Sequence, residues 1–192
     1  MSYLNERIKK DGVVFDESIL KIDSFLNHQI DPKVMDEISH EFYEEFKDSG
    51  ITKVLTIEAS GIAPAIMLAD RLNVPMLFAK KAVPSTAQNE SKYVSRVHSF
   101  TKNVDNDVFV SKEYLTSDDV VVVIDDFLAT GEAALGLVDI VEQAGAEVSA
   151  VGICVEKSFQ DGRFRLENAG VKVFSISRIA SLEGNEITFL EE

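Results

Sequence analysis

The stretch from Val121 to Ala133, VVVIDDFLATGEA, constrains the fold of this chain more than any other segment. Its first four residues are apolar and do not alternate with polar residues, which is typical of a strand buried on both faces. Such strands belong to parallel sheets covered by helices, and these sheets bind ligands beyond the carboxyl ends of their strands. We therefore expect a ligand site where the adjacent acids Asp125 and Asp126 follow the strand.

A short turn follows the two acids and leads into a helix-like apolar pattern. The turn and the first helical residues are Ala129, Thr130, Gly131, Glu132 and Ala133. Backbone N–H groups of such a compact turn, together with the start of a helix, can hold a phosphate. The two carboxylates are acceptors for sugar hydroxyls, so the segment suits a ribose 5-phosphate. The alternative, that the acids only cap the turn, leaves the phosphate-binding spacing unexplained.

Composition and charge exclude several classes of protein. At 192 residues, we expect residues 1–192 to form one domain with a sizeable core. The formal charge of −14 argues against a nucleic-acid binder, whose surface is basic. No apolar run approaches the ~20 residues of a membrane span, and the first residues lack a signal-peptide pattern. The single cysteine, Cys154, lies in an apolar run, which favours a buried thiol and a reducing cytoplasm.

The rest of the chain alternates predicted helices and strands. Helices are expected over residues 3–11, from Pro32 to a stop at Gly50, after Pro64 through about Leu72, over 132–144 and around 163–169. Strands are expected over residues 51–57, 74–79, 108–111, 120–124, 148–155 and 171–176, and residues 93–101 are expected to be extended. The alternation predicts an α/β fold with an open, twisted parallel sheet of about five strands flanked by helices. A small hood subdomain, from about residues 1–35 and a C-terminal hairpin over residues 182–189, would sit above the carboxyl edge of a core over about residues 36–178.

A second loop, EASGIAP over residues 58–64, also lies between a predicted strand and a helix. Its small residues, including Ser60 and Gly61, permit close approach of the backbone to an anion. As an isolated motif it is weak, because many turns between strands and helices contain glycine. Its value is that it predicts a second loop for an anion at the same sheet edge.

Residues 80–102, KKAVPSTAQNESKYVSRVHSFTK, are the least regular stretch. Five basic residues and one acid give this segment a charge of +4: Lys80, Lys81, Lys92, Arg96, Lys102 and Glu90. One interpretation is a solvated loop. The other is a lid that closes on a polyphosphate and excludes water, which would supply the local positive charge that an anionic ligand needs on this acidic chain.

Two further residues are candidates for contact with a ligand. Lys157 comes just after the predicted strand over residues 148–155, where it can donate to a carbonyl of a base, although a surface role is equally compatible with the pattern. Asn27 lies in a polar cluster ahead of the helix that begins at Pro32, and turn formation is its simpler role. The chain has neither a GxxxxGK[ST] loop nor a GxGxxG motif after a strand, which argues against the main nucleotide-binding alternatives.

The segment VVVIDDFLATGEA resembles the phosphoribosyl pyrophosphate signature of the type I phosphoribosyltransferases. Other segments resemble the bacterial xanthine phosphoribosyltransferases, so the resemblance covers almost the whole chain. These segments are DGVV (11–14), LKIDSFLNHQIDP (20–32), TIEASGIAP (56–64), HSFTK (98–102) and VEKSFQ (155–160). The resemblance implies the type I phosphoribosyltransferase fold.

The resemblance also implies an activity, which is transfer of 5-phosphoribose from phosphoribosyl pyrophosphate to N9 of xanthine, giving XMP and pyrophosphate in purine salvage. By matching position, residues 129–133 would bind the 5′-phosphate, and Asp125 and Asp126 the ribose hydroxyls. Ser60 and Gly61 would face pyrophosphate. The purine pocket would contain Leu20, Asn27 and Lys157, with the lysine at the 6-oxo group.

The family is cytoplasmic and homodimeric, and it uses Mg²⁺ held mainly by the substrate, so no metal ligand is expected from the protein. Neither nucleic acid nor membrane is expected as a partner.

Ala129 departs from hypoxanthine-guanine relatives, which commonly place an Asp there for the purine N7. The general base is therefore unassigned, with Glu132 and the basic segment as weak candidates. The alternatives are a guanine or hypoxanthine transferase and a purine regulator that senses phosphoribosyl pyrophosphate.

Overall fold

A computed structural model describes residues 2–82, 91–99 and 104–190 of the chain. The helices are α1 (Tyr3–Asp11), α2 (Pro32–Phe46), α3 (Ile62–Leu72), α4 (Glu132–Gln143) and α5 (Gly162–Asn168). The strands are β1 (Val13–Phe15), β2 (Ile19–Lys21), β3 (Lys53–Ile57), β4 (Met76–Ala82), β5 (Lys92–Ser99), β6 (Val104–Ser111), β7 (Val120–Leu128), β8 (Glu147–Lys157), β9 (Val173–Ser181) and β10 (Thr188–Phe189). A π-helical turn covers Asp23–Asn27 and a 3₁₀ turn covers Glu183–Asn185.

The main sheet has eight strands in the order β10-β9-β8-β7-β3-β4-β6-β5. Its centre consists of five parallel strands, β9, β8, β7, β3 and β4, which confirms the predicted α/β class and the five-stranded parallel sheet. The sheet as a whole is mixed, because β10 adds to one edge and the β5–β6 pair to the other, all antiparallel. Strand β4 joins the two parts, since residues 76–79 pair with β3 and residues 80–82 with β6.

Strand β7 is buried on both faces, as its unbroken apolar run predicts. Val121 and Val123 pack into the core cluster that includes α4, whereas Val122 and Ile124 pack into the cluster that includes α2. On the α2 side, the rings of three phenylalanines contact one another with centroids 5.9 to 6.1 Å apart: Phe42, Phe46 and Phe174. Burial on both faces keeps β7 at the centre of the sheet and places its carboxyl end at the middle of the sheet edge.

The structure differs from the sequence prediction at the end of β7. The strand was expected to stop at Ile124, before the two acids, but it continues to Leu128. It continues because β8 pairs with it as far as Leu128 and Glu156. Asp125 and Asp126 therefore lie within the strand, and the turn over residues 129–131 follows it directly.

The N-terminal residues form a separate two-stranded antiparallel sheet, β1–β2, beside the C-terminal residues. The backbone N–H of Gly184 donates to Glu17 Oε1 at 3.1 Å. The C-terminal hairpin is formed by β9 and β10, rather than within residues 182–189 as predicted, and its turn has Gly184 and Asn185 at φ of 63° and 61°. The division into a hood and a core stays a prediction. In residues 2–82, 91–99 and 104–190, no helix has the length and apolar character needed to cross a membrane.

Candidate active site

An open cleft of about 410 Å³ lies at the carboxyl ends of β3 and β7. These strands are parallel neighbours, with Leu55 opposite Val123, so the loops that follow them meet at the same edge. The cleft brings together nine of the predicted site residues: Ser60, Gly61, Asp125, Asp126, Ala129, Thr130, Gly131, Glu132 and Ala133. Segments that are 64 residues or more apart along the chain therefore share one concave surface, as expected of an α/β ligand site.

The two adjacent carboxylates differ in their surroundings. Asp125 is 5% exposed, and its Oδ1 accepts a hydrogen bond from the backbone N–H of Asp126 at 3.0 Å. Burial raises the pKa of Asp125 well above its ordinary value, and the nearby charge of Asp126 raises it further. Burial also raises the pKa of Asp126. Because both pKa values are raised, a cationic group bound in the cleft would favour the ionised form of the pair.

The loop after β3 approaches the carboxylates closely because residue 61 has no side chain. A Cβ atom at Gly61 would overlap Thr56 Oγ1 and would lie 3.3 Å from Asp125 Oδ1. Thr56 is fully buried, and its Oγ1 has no hydrogen-bond partner among the described residues. Glycine therefore allows the backbone that precedes α3 to lie against the end of β7.

The turn after β7 also depends on close backbone contact. Gly131 has φ of 82°, in the left-handed region that favours glycine, and a Cβ there would lie 3.2 Å from Gly162 Cα. The backbone N–H of Gly162 donates to the carbonyl of Ala129 at 3.0 Å. The turn between β7 and α4 is thus held against the first residue of α5, a contact that the sequence pattern did not predict.

The three residues predicted for the purine pocket lie beside the cleft rather than in its lining. Asn27 Nδ2 donates to Asp126 Oδ2 at 3.3 Å, which connects the π-helical turn to the carboxylate pair. Lys157 Nζ donates to the carbonyl of Ser18 at 2.9 Å and lies 5.8 Å from the centroid of the Phe127 ring. Burial lowers the pKa of Lys157. Leu20 is buried in the core cluster against which Phe127 also packs.

Part of the basic segment also contributes to the cleft. Lys81 and His98 line it, and so does Asn106, which the sequence reasoning missed. The backbone N–H of Lys81 donates to Glu58 Oε1 at 2.6 Å, which ties β4 to the loop after β3. The signal for Asn106 was absent from the sequence because it depends on the pairing of β6 with β4.

Other charged residues of this segment lie away from the cleft or outside the described residues. Lys92 is on β5, where its Nζ lies 4.2 Å from the centroid of the Phe109 ring. Glu90 and Lys102 fall in residues 83–90 and 100–103, outside the described residues. The predicted lid therefore stays a prediction.

A buried carboxylate, Glu156, anchors α5 to the sheet. It is 1% exposed and accepts hydrogen bonds from Arg163 Nε and Nη2 at 3.0 and 2.6 Å. It also accepts from the hydroxyls of Ser158 and Ser175, both at 2.6 Å. Although burial acts to raise the pKa of Glu156, the hydrogen bonds from Arg163 and the two serines lower it to about 2.

This depressed pKa predicts a pH-dependent contribution to stability. Because unfolded Glu156 takes up a proton near pH 4.5, the contribution is complete above that pH and is lost as the pH falls toward 2. Glu156→Gln is expected to lower the free energy of unfolding by about 3 kcal/mol at pH 6. The difference in the free energy of unfolding between Glu156→Gln and wild type should be smaller by about 2 kcal/mol at pH 3 than at pH 6. Urea denaturation across this range measures it.

Glu167→Gln is the matched control, because Glu167 also contacts Arg163 but its side chain is 53% exposed. This variant should change the free energy of unfolding by less than about 1 kcal/mol. A Glu156→Gln difference that does not vary between pH 6 and pH 3 would contradict the assignment of the depressed pKa.

Comparison with known proteins is consistent with this geometry. Residues 21–185 match the family model described as phosphoribosyl transferase domain. The chain is 59% identical over 192 residues to the xanthine phosphoribosyltransferase of Staphylococcus aureus strain MRSA252, covering 100% of both chains, and equally to that of strain JH9. The chain therefore belongs to the phosphoribosyl transferase family, which confirms the resemblance seen in its sequence.

Solved structures agree on the fold. The adenine phosphoribosyltransferase of Rhodothermus marinus DSM 4252 is similar with a TM-score of 0.72 and 25% identity, over 90% of this chain and 96% of that chain. The adenine phosphoribosyltransferase of Trypanosoma brucei is similar with a TM-score of 0.75 and 20% identity, over 90% of this chain and 78% of that chain. The sheet and its flanking helices are thus those of a type I phosphoribosyltransferase.

Proposed function

We propose that this protein is a purine-salvage pentosyltransferase that converts xanthine and phosphoribosyl pyrophosphate to XMP and pyrophosphate. The observation that carries the choice of base is the 59% identity, over the full length of both chains, to bacterial xanthine phosphoribosyltransferases. The cleft supports the sugar-phosphate part, because it combines two carboxylates with two loops suited to anions.

In this proposal phosphoribosyl pyrophosphate lies along the sheet edge. The N–H groups of residues 129–133, at the start of α4, hold its 5′-phosphate. Asp125 and Asp126 accept hydrogen bonds from the ribose 2′- and 3′-hydroxyls. Ser60 and Gly61 face the pyrophosphate, and Lys81, which lines the same cleft, offsets part of its charge.

Transfer of an activated ribose passes through a transition state with oxocarbenium-ion character. Carboxylates below the ring hydroxyls stabilise the positive charge that develops on the sugar. Magnesium, when bound, neutralises the charge of the departing pyrophosphate. The donor set suits this cation, because Mg²⁺ favours one or two carboxylates together with phosphate oxygens, and Asp125 and Asp126 lie at the cleft. We propose that most of its ligands come from the substrate.

The base would enter beside the cleft, on the side of Asn27, Leu20 and Lys157. Asn27 Oδ1 is buried without a hydrogen-bond partner among the described residues, and it is thus a candidate acceptor for a purine N–H. Lys157 would donate to the 6-oxo group and favour an anionic form of xanthine, which is acidic for a purine. Ala129 offers no acid to the purine N7, so the proposal assigns no general base.

Lys157→Ala is expected to lower kcat/KM for xanthine by about 10- to 100-fold, since it removes a charged donor from a partly buried site. Binding of phosphoribosyl pyrophosphate should change far less. Lys172→Ala serves as the matched control, because Lys172 is an exposed lysine paired with Glu45 on another part of the surface. Steady-state kinetics with each substrate varied measures the difference, and equal losses for both substrates would contradict the role of Lys157.

The direct test of the function is a spectrophotometric assay of xanthine, guanine, hypoxanthine and adenine, each with phosphoribosyl pyrophosphate and Mg²⁺. A preference for xanthine greater than about tenfold in kcat/KM, or ~1.4 kcal/mol in transition-state binding, supports the proposal. A smaller preference would favour a broader guanine or hypoxanthine transferase. Binding of phosphoribosyl pyrophosphate without turnover of any base would favour the purine regulator instead.

The proposal also includes a homodimer in the cytoplasm, as the family resemblance implies. Sedimentation equilibrium tests the assembly, with an expected mass of twice 21.2 kDa. A mass of one chain at assay concentrations would contradict it.

A further inference from the structure

Glu132 is an unfavourable neighbour for a phosphate. It occupies the first position of α4 and lines the cleft beside the turn over residues 129–131. A carboxylate at this position repels a phosphate dianion that approaches the turn, and the net charge of −14 adds to the repulsion. Phosphate binding here therefore requires a compensating cation.

Arg165 supplies that cation from α5. Its Nη1 donates to Glu132 Oε1 at 2.6 Å and to the backbone carbonyl of Thr130, also at 2.6 Å. The side chains of Arg165 and Glu132 are 33% and 25% exposed, so water screens this contact only in part. The guanidinium of Arg165 thus neutralises the carboxylate and also forms a hydrogen bond to the turn.

The second contact bears on the direction of the N–H groups in the turn. The carbonyl of Thr130 accepts from Arg165 and the carbonyl of Ala129 accepts from the N–H of Gly162, so both carbonyls point toward α5. In a planar trans peptide the N–H points opposite to the carbonyl. The N–H groups of Thr130 and Gly131 therefore point away from the two α5 donors that these carbonyls contact.

Helix α5, which carries Arg165, is fixed to the sheet by hydrogen bonds. Its second residue, Arg163, makes several hydrogen bonds to the buried carboxylate of Glu156 and one to the carbonyl of Val173 at 3.1 Å. Arg165 lies on the same short helix, two residues further on. Its position relative to the turn is therefore set by the sheet rather than by a flexible loop.

We propose that Arg165 is a positioning residue for the phosphate-binding turn: it neutralises Glu132 and orients the N–H groups of residues 130 and 131 toward a phosphate dianion. The inference rests on the proposed function of the same cleft. It assigns a role to a residue outside that cleft, 33 positions from the carboxylate that it neutralises.

The test compares Arg165→Met with wild type and with Lys172→Met, which removes the same charge from an exposed site. Binding of phosphoribosyl pyrophosphate with Mg²⁺ is measured by titration calorimetry, and KM for each substrate by steady-state kinetics. Arg165→Met is expected to weaken phosphoribosyl pyrophosphate binding about tenfold or more, with KM for xanthine within about twofold of wild type. Lys172→Met should leave both unchanged.

Two further variants separate positioning from folding. The double variant Arg165→Met with Glu132→Gln should recover several-fold of the lost affinity, because no uncompensated carboxylate remains beside the phosphate. Arg165→Lys keeps the charge with a shorter, single-centre donor, and it should lie between Arg165→Met and wild type. Thermal unfolding of each variant shows that it is folded.

The outcomes distinguish the inference from the function on which it rests. Failure of the wild type to bind phosphoribosyl pyrophosphate would overturn the proposed function itself. Normal binding by wild type together with unchanged binding by Arg165→Met would overturn the inference alone. An equal rise in KM for both substrates, or no recovery in the double variant, would also overturn it, since either result indicates a general structural role.

Discussion

Asp126→Asn is expected to lower kcat by about 100- to 1000-fold, the range seen when one preorganised electrostatic stabiliser is removed from an active site. Asp126 borders the cleft, and its charge lies where the sugar would become positive in the transition state. The amide keeps the size of the side chain and can still accept from Asn27. The loss therefore reports charge rather than packing.

Asp125→Asn is expected to be much milder, with a loss of less than about tenfold. Asp125 is the more deeply buried of the two, and burial together with the charge of Asp126 raises its pKa well above the ordinary value. Asn has the same shape, and its amide oxygen can still accept the hydrogen bond from the backbone N–H of Asp126, so replacement changes less at this position. The two neighbours, identical in residue type, should thus differ by tenfold or more in kcat.

The pH profile gives a second measurement of the same pair. Because the pKa values of both carboxyls are raised, the ionised form is lost at a higher pH than for an exposed Asp. The acid limb of kcat/KM should therefore have its midpoint at a higher pH than the ordinary pKa of an exposed Asp would give. Asp118→Asn, an exposed substitution of the same kind, is the control and should keep wild-type kinetics. Equal losses in Asp125→Asn and Asp126→Asn would contradict this division of roles.

Gly61→Ala is expected to lower kcat/KM for phosphoribosyl pyrophosphate by about 10- to 100-fold. The new Cβ would overlap Thr56 Oγ1 and approach Asp125 Oδ1 to 3.3 Å, so the loop after β3 must move away from β7. Overpacking of this kind costs about 1–3 kcal/mol. Thermal unfolding measures the cost in stability, and kinetics with phosphoribosyl pyrophosphate varied measures the displacement of the loop.

The matched variant is Thr56→Ala combined with Gly61→Ala. Removal of Oγ1 opens the space that the new Cβ needs, and that oxygen has no hydrogen-bond partner among the described residues. The double variant should therefore recover part of both the stability and the activity. Thr56→Ala alone should keep kcat/KM within about twofold of wild type. A double variant as impaired as Gly61→Ala would show that the clash with Thr56 is not the cause.

The elements predicted from the sequence are those whose signal is local. Strand β7 was recognised because four apolar residues without alternation require burial on both faces, whichever strands lie beside it. Helix α2 was recognised by Asp31 and Pro32, and Asp31 Oδ1 does accept from the backbone N–H of Lys33 at 3.0 Å. At the antiparallel edge, β5 lies where an extended segment was expected, but β6 begins earlier than the predicted residue 108, because its pairing with β4 joins residues that are well separated in the chain.

The chemistry at this edge of the sheet can be read from the chain without its fold: two carboxylates, a turn of small residues before a helix, and a second glycine loop. Residue types at short spacing carry that information, since each loop directly follows its own strand. The arrangement of these groups depends instead on the packing of distant segments in the folded protein. Folding brings Asn27 into a hydrogen bond with Asp126, 99 residues away, and Arg165 into one with Glu132, 33 residues away. Such contacts depend on the order of strands and the packing of α5, and no local pattern in the chain specifies them.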